Sequence, residues 1–197
     1  MAALAQEELG ITHINQIYHR LLREREQLRT QALVDSLTRL WNRAAILEIL
    51  ELELRRASKS HTSIGVAMAD LDHFKRINDT HGHPVGDVVL LETARRIRSC
   101  LRPTDTAGRI GGEEFLVVLS GVELPLAVEI TERIRAVMTN DKIITPQGII
   151  SITLSLGVGV TPKSGVLSAV SIMTQVDKAL YEAKNAGRNC VRQCLLE

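Results

Sequence analysis

The chain has 197 residues, of which 45% are hydrophobic, and this is enough for one domain with a real core and a short extension. Its 24 basic and 23 acidic residues nearly cancel, which argues against a nucleic-acid polymer or a membrane surface as partner, because both normally require a basic excess. No apolar run approaches the roughly 20 residues that cross a bilayer, and nothing at the N-terminus resembles a signal peptide.

The first predicted element is a helix over residues 4–32, a segment without proline and with a single early glycine. A seam with alternating steps of three and four residues favours a parallel dimeric coiled coil, although Arg25 occupies one seam position. The apolar seam residues are Ile11, Ile14, Tyr18, Leu21, Leu28 and Ala32. An amphipathic helix packed on its own domain is the alternative. We therefore divide the chain into a signalling helix, residues 1–34, and a second domain, residues 35–197.

The next predicted elements are a helix and a buried strand. The helix is expected to start with Asp35 as its N-cap and to run through Trp41, packed in the core, to about Ala57. The apolar run at residues 64–69 predicts a strand that ends at Asp70. Asp70 and Asp72 would then lie at the C-terminal end of this strand, where ligands bind in many α/β sheets.

Polar residues are dense after this strand, where residues 70–87 read D-L-D-H-F-K-R-I-N-D-T-H-G-H-P-V-G-D. Lys75 and Asn78 are expected on a short helix. A strand, an Asp N-cap and an ordinary polar helix form the structural alternative. That alternative accounts for one Asp but poorly for the density of Asp, Lys, Asn, His and Gly.

The remaining elements alternate. We predict a helix over 85–101, a hairpin over 106–119, a helix over 125–138, strands near 143, at 149–151 and at 153–160, and a helix over 170–186. The order β-α-β-β-α-β predicts an α+β fold that resembles the split ferredoxin-like palm of nucleotide polymerases and class III nucleotide cyclases.

The tip of the hairpin carries two glycines followed by two carboxylates, Glu113 and Glu114. Glycine permits a tight turn and a close backbone approach, so that the carboxylates are presented side by side. Hard oxygen ligands beside bare backbone suit Mg²⁺ and a nucleotide phosphate chain. A common Gly-Gly turn with solvated glutamates is the alternative.

Four segments together resemble the motifs of one family. They read D-S-L-T-R-L-W-N-R at 35–43, the 70–87 stretch given above, R-I-G-G-E-E-F at 109–115, and D-K-A-L-Y-E-A-K-N-A-G-R-N at 177–189. In this order, between Asp35 and Val191, they resemble the GGDEF family of diguanylate cyclases, which make cyclic di-GMP from two GTP. G-G-E-E-F is a variant that is common among active members.

The resemblance implies attack of a 3′-hydroxyl on the α-phosphorus of a second GTP, with Mg²⁺ as the cofactor and Mn²⁺ as a possible substitute. Asp70 and Glu113 are the expected metal carboxylates, and the Leu71 carbonyl adds a ligand. Glu114 is assigned as a metal ligand, as a base for the hydroxyl, or as both. The Lys75 side chain is expected to stabilise charge in the transition state.

Phosphate groups are expected at two places. The Phe74 and Lys75 amides would open a helix, and a helix N-terminus attracts anions. Lys184 and Arg188 lie four apart and would share a face of the last helix, where by resemblance they grip the terminal phosphates.

Guanine selection is assigned to Asn78 and Asp87, since an amide and a carboxylate pair with a guanine edge that adenine cannot match. Leu37 and Leu90 would form the apolar wall around the base. Members that make mixed cyclic GMP-AMP tend to replace this Asp with a small hydroxyl residue, so Asp87 favours GTP on both sides.

Arg102-Pro103-Thr104-Asp105 matches the R-x-x-D inhibitory site of the family, a few residues before the glycine pair. Arg can grip a guanine edge or a phosphate, and Asp can accept from guanine. Arg133 is assigned as a second contact for cyclic di-GMP. A simple turn between helix and strand is the alternative.

The sequence thus predicts a cytoplasmic diguanylate cyclase that acts as a homodimer, because each domain would hold one GTP in a half-site. The three cysteines are expected to be reduced. The N-terminal helix would transmit the state of an upstream sensor that this chain lacks. A catalytically silent receptor for GTP or cyclic di-GMP, and a dimerisation module without turnover, remain the alternatives.

Overall fold

A computed structural model describes residues 18–20, 33–163 and 167–196. The chain divides into two compact units, Met1–Val34 and Asp35–Glu197. Most of the predicted N-terminal helix lies outside the described residues, and only Tyr18, His19 and Arg20 of it are described, as exposed helical residues. The coiled coil and the roles assigned to the two segments stay predictions.

The second unit is a mixed sheet with helices on both faces. Its helices are α1 (Arg43–Ser60), α2 (Phe74–His81), α3 (His83–Ser99), α4 (Leu124–Asn140) and α5 (Ala169–Asn185). Its strands are β1 (Ile64–Leu71), β2 (Thr106–Arg109), β3 (Glu114–Ser120), β4 (Ile143–Thr145), β5 (Gly148–Ile150), β6 (Leu154–Val160) and β7 (Val191–Leu195).

The main sheet has the strand order β2-β3-β1-β6-β7, while β4 and β5 form a separate hairpin. Strand β1 is central, antiparallel to both β3 and β6, and all eight of its residues are buried. Strand β7 is parallel to β6. This arrangement confirms the predicted α+β palm-like fold class.

Two apolar layers cover the sheet because alternate β1 side chains point to opposite faces. Ala67 and Ala69 pack in a cluster with α3 and α4, whereas Val66 and Met68 pack in a cluster with α1 and α5. A strand buried on both faces reads as a continuous apolar run, which is why residues 64–69 were recognisable as a strand.

The prediction that Asp35 caps the first helix of this unit is wrong. Helix α1 begins at Arg43, and the side chain of Asn42 caps it by accepting from the Ala45 amide at 3.0 Å. Asp35 instead closes a turn, where its Oδ1 accepts from the Thr38 amide (2.8 Å) and hydroxyl (2.6 Å). Arg39 follows with φ of 59°, a conformation that cannot continue a helix.

The prediction that Trp41 packs in the core is wrong. Trp41 is 36% exposed and forms an isolated parallel bridge with Gly108 of β2. The residues before α1 therefore lie along the edge of the sheet, and not within a helix that would turn the indole inward.

The last helix ends earlier than predicted, at Asn185. Gly187, Arg188 and Asn189 have φ of 106°, 66° and 47°, so the chain turns through the left-handed region before β7. The prediction that Lys184 and Arg188 share a helical face is therefore wrong. Strand β7 itself was not predicted, because its burial alternates weakly and it follows a motif that reads as helical.

Candidate active site

The end of β1 and the glycine-rich tip meet at one edge of the sheet. Asp70 is the register partner of Glu114, and the Leu71 amide donates to the Glu113 carbonyl at 3.3 Å. Asp70 is 5% exposed, while both glutamates are partly buried. The fold thus brings the predicted carboxylates of two distant motifs together.

Lys184 of α5 completes this edge, with its Nζ 2.8 Å from Asp70 Oδ2. Gly157 of β6 allows the approach, because a Cβ there would overlap the α5 backbone at Val176 and Leu180. Helix α5 therefore packs on bare strand backbone, one turn before Lys184.

Burial and neighbouring carboxylates raise the pKa of Asp70 and of Glu113. Burial, opposed by Lys184, raises the pKa of Asp70 above its usual value, with Asp72 adding to the rise. Burial also raises the pKa of Glu113, together with the charges of Asp70 and Glu114. A cation at this edge would relieve that repulsion.

The oxygen ligands at this edge suit an Mg²⁺ ion that is also coordinated by a nucleotide better than a site in which the protein supplies every ligand. Among the described residues, no group of three or more His, Cys, Asp or Glu side chains is arranged to hold a metal ion. Mg²⁺ typically takes one or two carboxylates and completes its shell with water and substrate phosphates. Asp70, Glu113 and the Leu71 carbonyl at the strand end would supply that number of protein ligands.

Helix α2 starts directly beyond this edge. Its first residues are Phe74, which is buried, and Lys75, whose side chain is exposed. His73 is the N-cap residue, with φ of 59°. In the described part of the chain, its side chain makes no capping hydrogen bond to the first amides of α2. The open helix N-terminus is the kind of place where phosphate oxygens bind.

The predicted guanine site contains an unsatisfied acceptor. Asn78 Oδ1 is buried and has no hydrogen-bond partner within the described part of the chain. Gly86 makes room for it, because a Cβ at Gly86 would overlap this oxygen. A buried polar atom without a partner costs free energy, which a bound donor would offset.

The other predicted base contacts lie nearby in α3 and before α1. Leu90 is buried, and Leu37 packs against the same apolar cluster. Asp87 is exposed, one residue beyond Gly86.

Arg109 organises the hairpin tip, a role that sequence reasoning missed. It donates to the Gly112 carbonyl at 2.7 Å and to the Gly111 carbonyl at 3.2 Å. Its Nη1 also lies 3.3 Å from Asp35 Oδ1. Against burial, the Thr38 and Arg109 bonds hold the pKa of Asp35 below its usual value. Both residues lie in the quoted motifs, but only the fold reveals that they meet.

Gly111 has a separate function at the tip. A Cβ at this position would overlap Glu114 Oε2. The first glycine of the pair therefore leaves space for the carboxylate that follows it.

The predicted inhibitory residues lie at the other end of β2. Arg102 donates to Asp105 through Nη2 (2.7 Å), Nε (3.0 Å) and its own amide (3.0 Å), and Nη2 also donates to the Ser120 carbonyl at 3.0 Å. Arg133 lies beside them, since its Nη2 donates to the Cys100 carbonyl at 2.6 Å. The three predicted residues thus form one neighbourhood, separate from the hairpin tip.

A family model described as diguanylate cyclase, GGDEF domain, matches residues 32–190. Diguanylate cyclase A of Treponema denticola is 42% identical over 70% of this chain and 37% of its own length. Diguanylate cyclase DgcP of Pseudomonas aeruginosa is 41% identical over 83% of this chain and 24% of its own. The chain therefore spans well under two thirds of these relatives.

Solved structures agree with the sequence matches. The coiled coil and GGDEF domain of DgcB from Caulobacter crescentus, solved in complex with c-di-GMP, has a TM-score of 0.89 at 31% identity, covering 95% of this chain and 98% of that one. An active GGEEF domain of a diguanylate cyclase from Vibrio cholerae has a TM-score of 0.71 at 32% identity, covering 79% and 97%. Within the described residues, no helix has the length and apolar character required to span a membrane.

Proposed function

Since the chain belongs to the GGDEF family of diguanylate cyclases, we propose that it condenses two GTP into cyclic di-GMP and two pyrophosphates. The observation that carries the proposal is the meeting of Asp70 with Glu113 and Glu114 at one sheet edge. Two relatives named as diguanylate cyclases support it.

Substrate binding would use the elements that surround this edge. The amides of Phe74 and Lys75 at the start of α2 would donate to the phosphates, and Arg188 would add a cation from the turn after α5. Lys184 would move between Asp70, its partner here, and the terminal phosphates. The unsatisfied Asn78 oxygen would accept from guanine, with Asp87 as a second acceptor and Leu37 and Leu90 against the base.

Asp70, Glu113 and the Leu71 carbonyl are the proposed ligands of Mg²⁺ or Mn²⁺. Such an ion, when bound, neutralises phosphate charge and favours ionisation of the attacking hydroxyl. The raised pKa values of Asp70 and Glu113 are consistent with carboxylates that await a cation. Glu114, for which Gly111 leaves space, would take the proton of the hydroxyl or join the ligand set.

The protein's main contribution is orientation and charge stabilisation. Arg109 holds the tip carbonyls, so that Glu113 and Glu114 keep a fixed position relative to Asp70. The Lys75 side chain would stabilise the charge that develops on the transferred phosphoryl group. Holding the reacting groups in line supplies much of the rate enhancement in reactions of this type.

We extend the proposal to a homodimer and to product control. Each chain carries one carboxylate edge, so joining two GTP requires two chains that face each other. Residues 1–34 would act as the signalling helix that sets this meeting for an upstream sensor. Arg102, Asp105 and Arg133 would bind cyclic di-GMP and inhibit turnover.

The experiment is to incubate the purified chain with Mg²⁺ and GTP and to follow products by chromatography across protein concentrations. We expect cyclic di-GMP, formed at a rate per chain that rises with concentration. GTP that binds without product would favour a receptor or a chain unable to dimerise. A stronger coiled coil fused before residue 33 would separate those two outcomes.

A further inference from the structure

Asp72 lies two residues beyond Asp70, but its carboxylate is fully engaged by other donors. It is 5% exposed. Its Oδ1 accepts from the Ser155 hydroxyl at 2.7 Å, and its Oδ2 accepts from the Thr153 hydroxyl at 2.6 Å and from the Asn189 amide at 3.0 Å. A buried carboxylate with three good donors acts as a fixed anchor for the backbone that it holds.

The backbone that it holds is the left-handed turn at residues 187–189. Arg188 and Asn189 are not glycines, and the left-handed region is unfavourable for a side chain such as that of Arg188. Such residues keep their conformation only where surrounding contacts over-determine it. The Asp72 bond to the Asn189 amide is one of those contacts.

A second set of contacts holds the same residue from helix α4. Asn189 Oδ1 accepts from Arg135 Nη1 at 2.9 Å and from the Thr139 hydroxyl at 2.8 Å. The turn is thus fixed through both the backbone and the side chain of Asn189. Arg188, directly before it, is exposed and has its own amide bonded to the Ala183 carbonyl at 3.1 Å.

We propose that Asp72 is a positioning residue that sets the phosphate contact of Arg188 through the Asn189 turn. The inference rests on the proposed function, which assigns Arg188 to the GTP phosphates. With the turn fixed, the backbone that carries the Arg188 side chain is already in place when GTP arrives, and this lowers the ordering cost of binding. Asp72 would touch neither metal nor substrate.

The test compares two ligands that differ in their phosphates. 3′-Deoxy-GTP lacks the attacking hydroxyl, so its affinity can be measured without turnover, and 3′-deoxy-GMP lacks the terminal phosphates. In Asp72→Ala we expect 3′-deoxy-GTP affinity to fall about tenfold, the usual order for a misplaced charged hydrogen bond, with 3′-deoxy-GMP affinity within about twofold.

A double-mutant cycle separates positioning from a direct role. In an Arg188→Ala background, adding Asp72→Ala should change 3′-deoxy-GTP affinity by less than about twofold, because residues that act through one another are not additive. Asp72→Asn keeps one acceptor oxygen for the Asn189 amide and should restore most of the affinity. Ser63→Ala, which removes a buried hydroxyl bond to the Val122 carbonyl at the opposite end of β1, is the matched control.

Hydrogen exchange gives a readout that does not depend on nucleotide. Amides of residues 187–190 should lose protection in Asp72→Ala and keep it in Ser63→Ala. If Asp72→Ala does not fold, Thr153→Val removes one donor to the same carboxylate. It should lower 3′-deoxy-GTP affinity about threefold and leave 3′-deoxy-GMP affinity nearly unchanged.

Three results would overturn the inference: equal losses for both ligands, additive losses with Arg188→Ala, or unchanged exchange at residues 187–190. Protein that binds 3′-deoxy-GTP tightly but makes no cyclic di-GMP from GTP, even with the stronger coiled coil fused before residue 33, would refute the proposed function alone. The inference would then still be decided by the ratio of the two affinities.

Discussion

An arginine and an aspartate meet at each end of the β2–β3 hairpin, but the two pairs are built differently. At the tip, Arg109 reaches Asp35 across 74 residues and gives its shortest bond, 2.7 Å, to a glycine carbonyl. At the base, Arg102 gives most of its bonds to Asp105, three residues away, whose side chain is 0% exposed. The tip arginine holds the backbone of the candidate site. At the base, Asp105 already occupies the donors of Arg102, and a ligand that binds Arg102 would have to displace it.

Among substitutions at the two ends of the hairpin, we expect the largest loss of activity at the tip carboxylates. Glu113→Gln should lower cyclic di-GMP production at least about 1000-fold, because a proposed metal carboxylate is lost while the size of the side chain is kept. Product per chain at saturating GTP is the measurement. Glu123→Gln, an exposed carboxylate paired with Lys163, is the control and should keep wild-type activity. Glu113→Gln activity within tenfold of wild type would remove Glu113 from the metal site.

The tip arginine should have the next largest effect. Arg109→Ala removes the donors to the Gly111 and Gly112 carbonyls, and we expect kcat to fall about 10- to 100-fold because the carboxylates lose their fixed position. KM for GTP should change much less. Asp35→Asn should also lower kcat, by a smaller factor. An unchanged kcat in both variants would show that the conformation of the tip does not depend on Arg109 or Asp35.

At the base we expect a substitution to relieve inhibition, whereas at the tip it lowers kcat. Arg102→Ala should leave kcat within about twofold and raise the cyclic di-GMP concentration for half-inhibition about tenfold, since a bidentate donor is removed. Arg95→Ala, an exposed arginine bonded to Glu92 on the same helix end, is the control. The bond from Arg95, with that from Arg96, lowers the pKa of Glu92 to about 2 despite its partial burial. Inhibition that persists in Arg102→Ala would leave this segment as a turn.

The smallest effect is on stability, and its sign should differ between the ends. Burial, with Asp70 and Glu114, raises the folded pKa of Glu113, so its charge lowers stability above the unfolded pKa. Without divalent ions, Glu113→Gln should therefore raise Tm by up to about 2 °C at neutral pH, with the gain vanishing as pH falls through the folded pKa. Asp105→Asn breaks buried charged bonds and should lower Tm by roughly 5–10 °C. Shifts of equal sign would contradict the comparison.

Sequence patterns predicted most of the elements that carry the site. The apolar run of β1 and the Gly-Gly tip gave the strand end and the hairpin, and the structure brings Asp70 and Glu113 together as expected. These features are local, since burial on both faces and a tight turn each leave a signature within a few residues. The roles of these residues stay predictions.

The errors arose where local signals compete or where partners are distant. Asp35 and Asn42 are both good N-cap residues, and the left-handed Arg39 that decides between them has no reliable signature. The sequence pattern predicts a helix at Arg188 because the motif continues a helical periodicity, while the turn is stabilised by a bond from the Asn189 amide to Asp72, 117 residues away. Such long-range hydrogen bonds cannot be read from periodicity.

The contact of Gly157 with α5 offers a genetic tool. A methyl group at this position would have to displace a helix backbone and not a flexible side chain, and Lys184 would move away from Asp70 with it. A Gly157→Ala allele would keep every charged and polar group of the protein. A phenotype from that allele in cells could therefore be ascribed to the spacing between helix and sheet, with the chemistry of the site left intact.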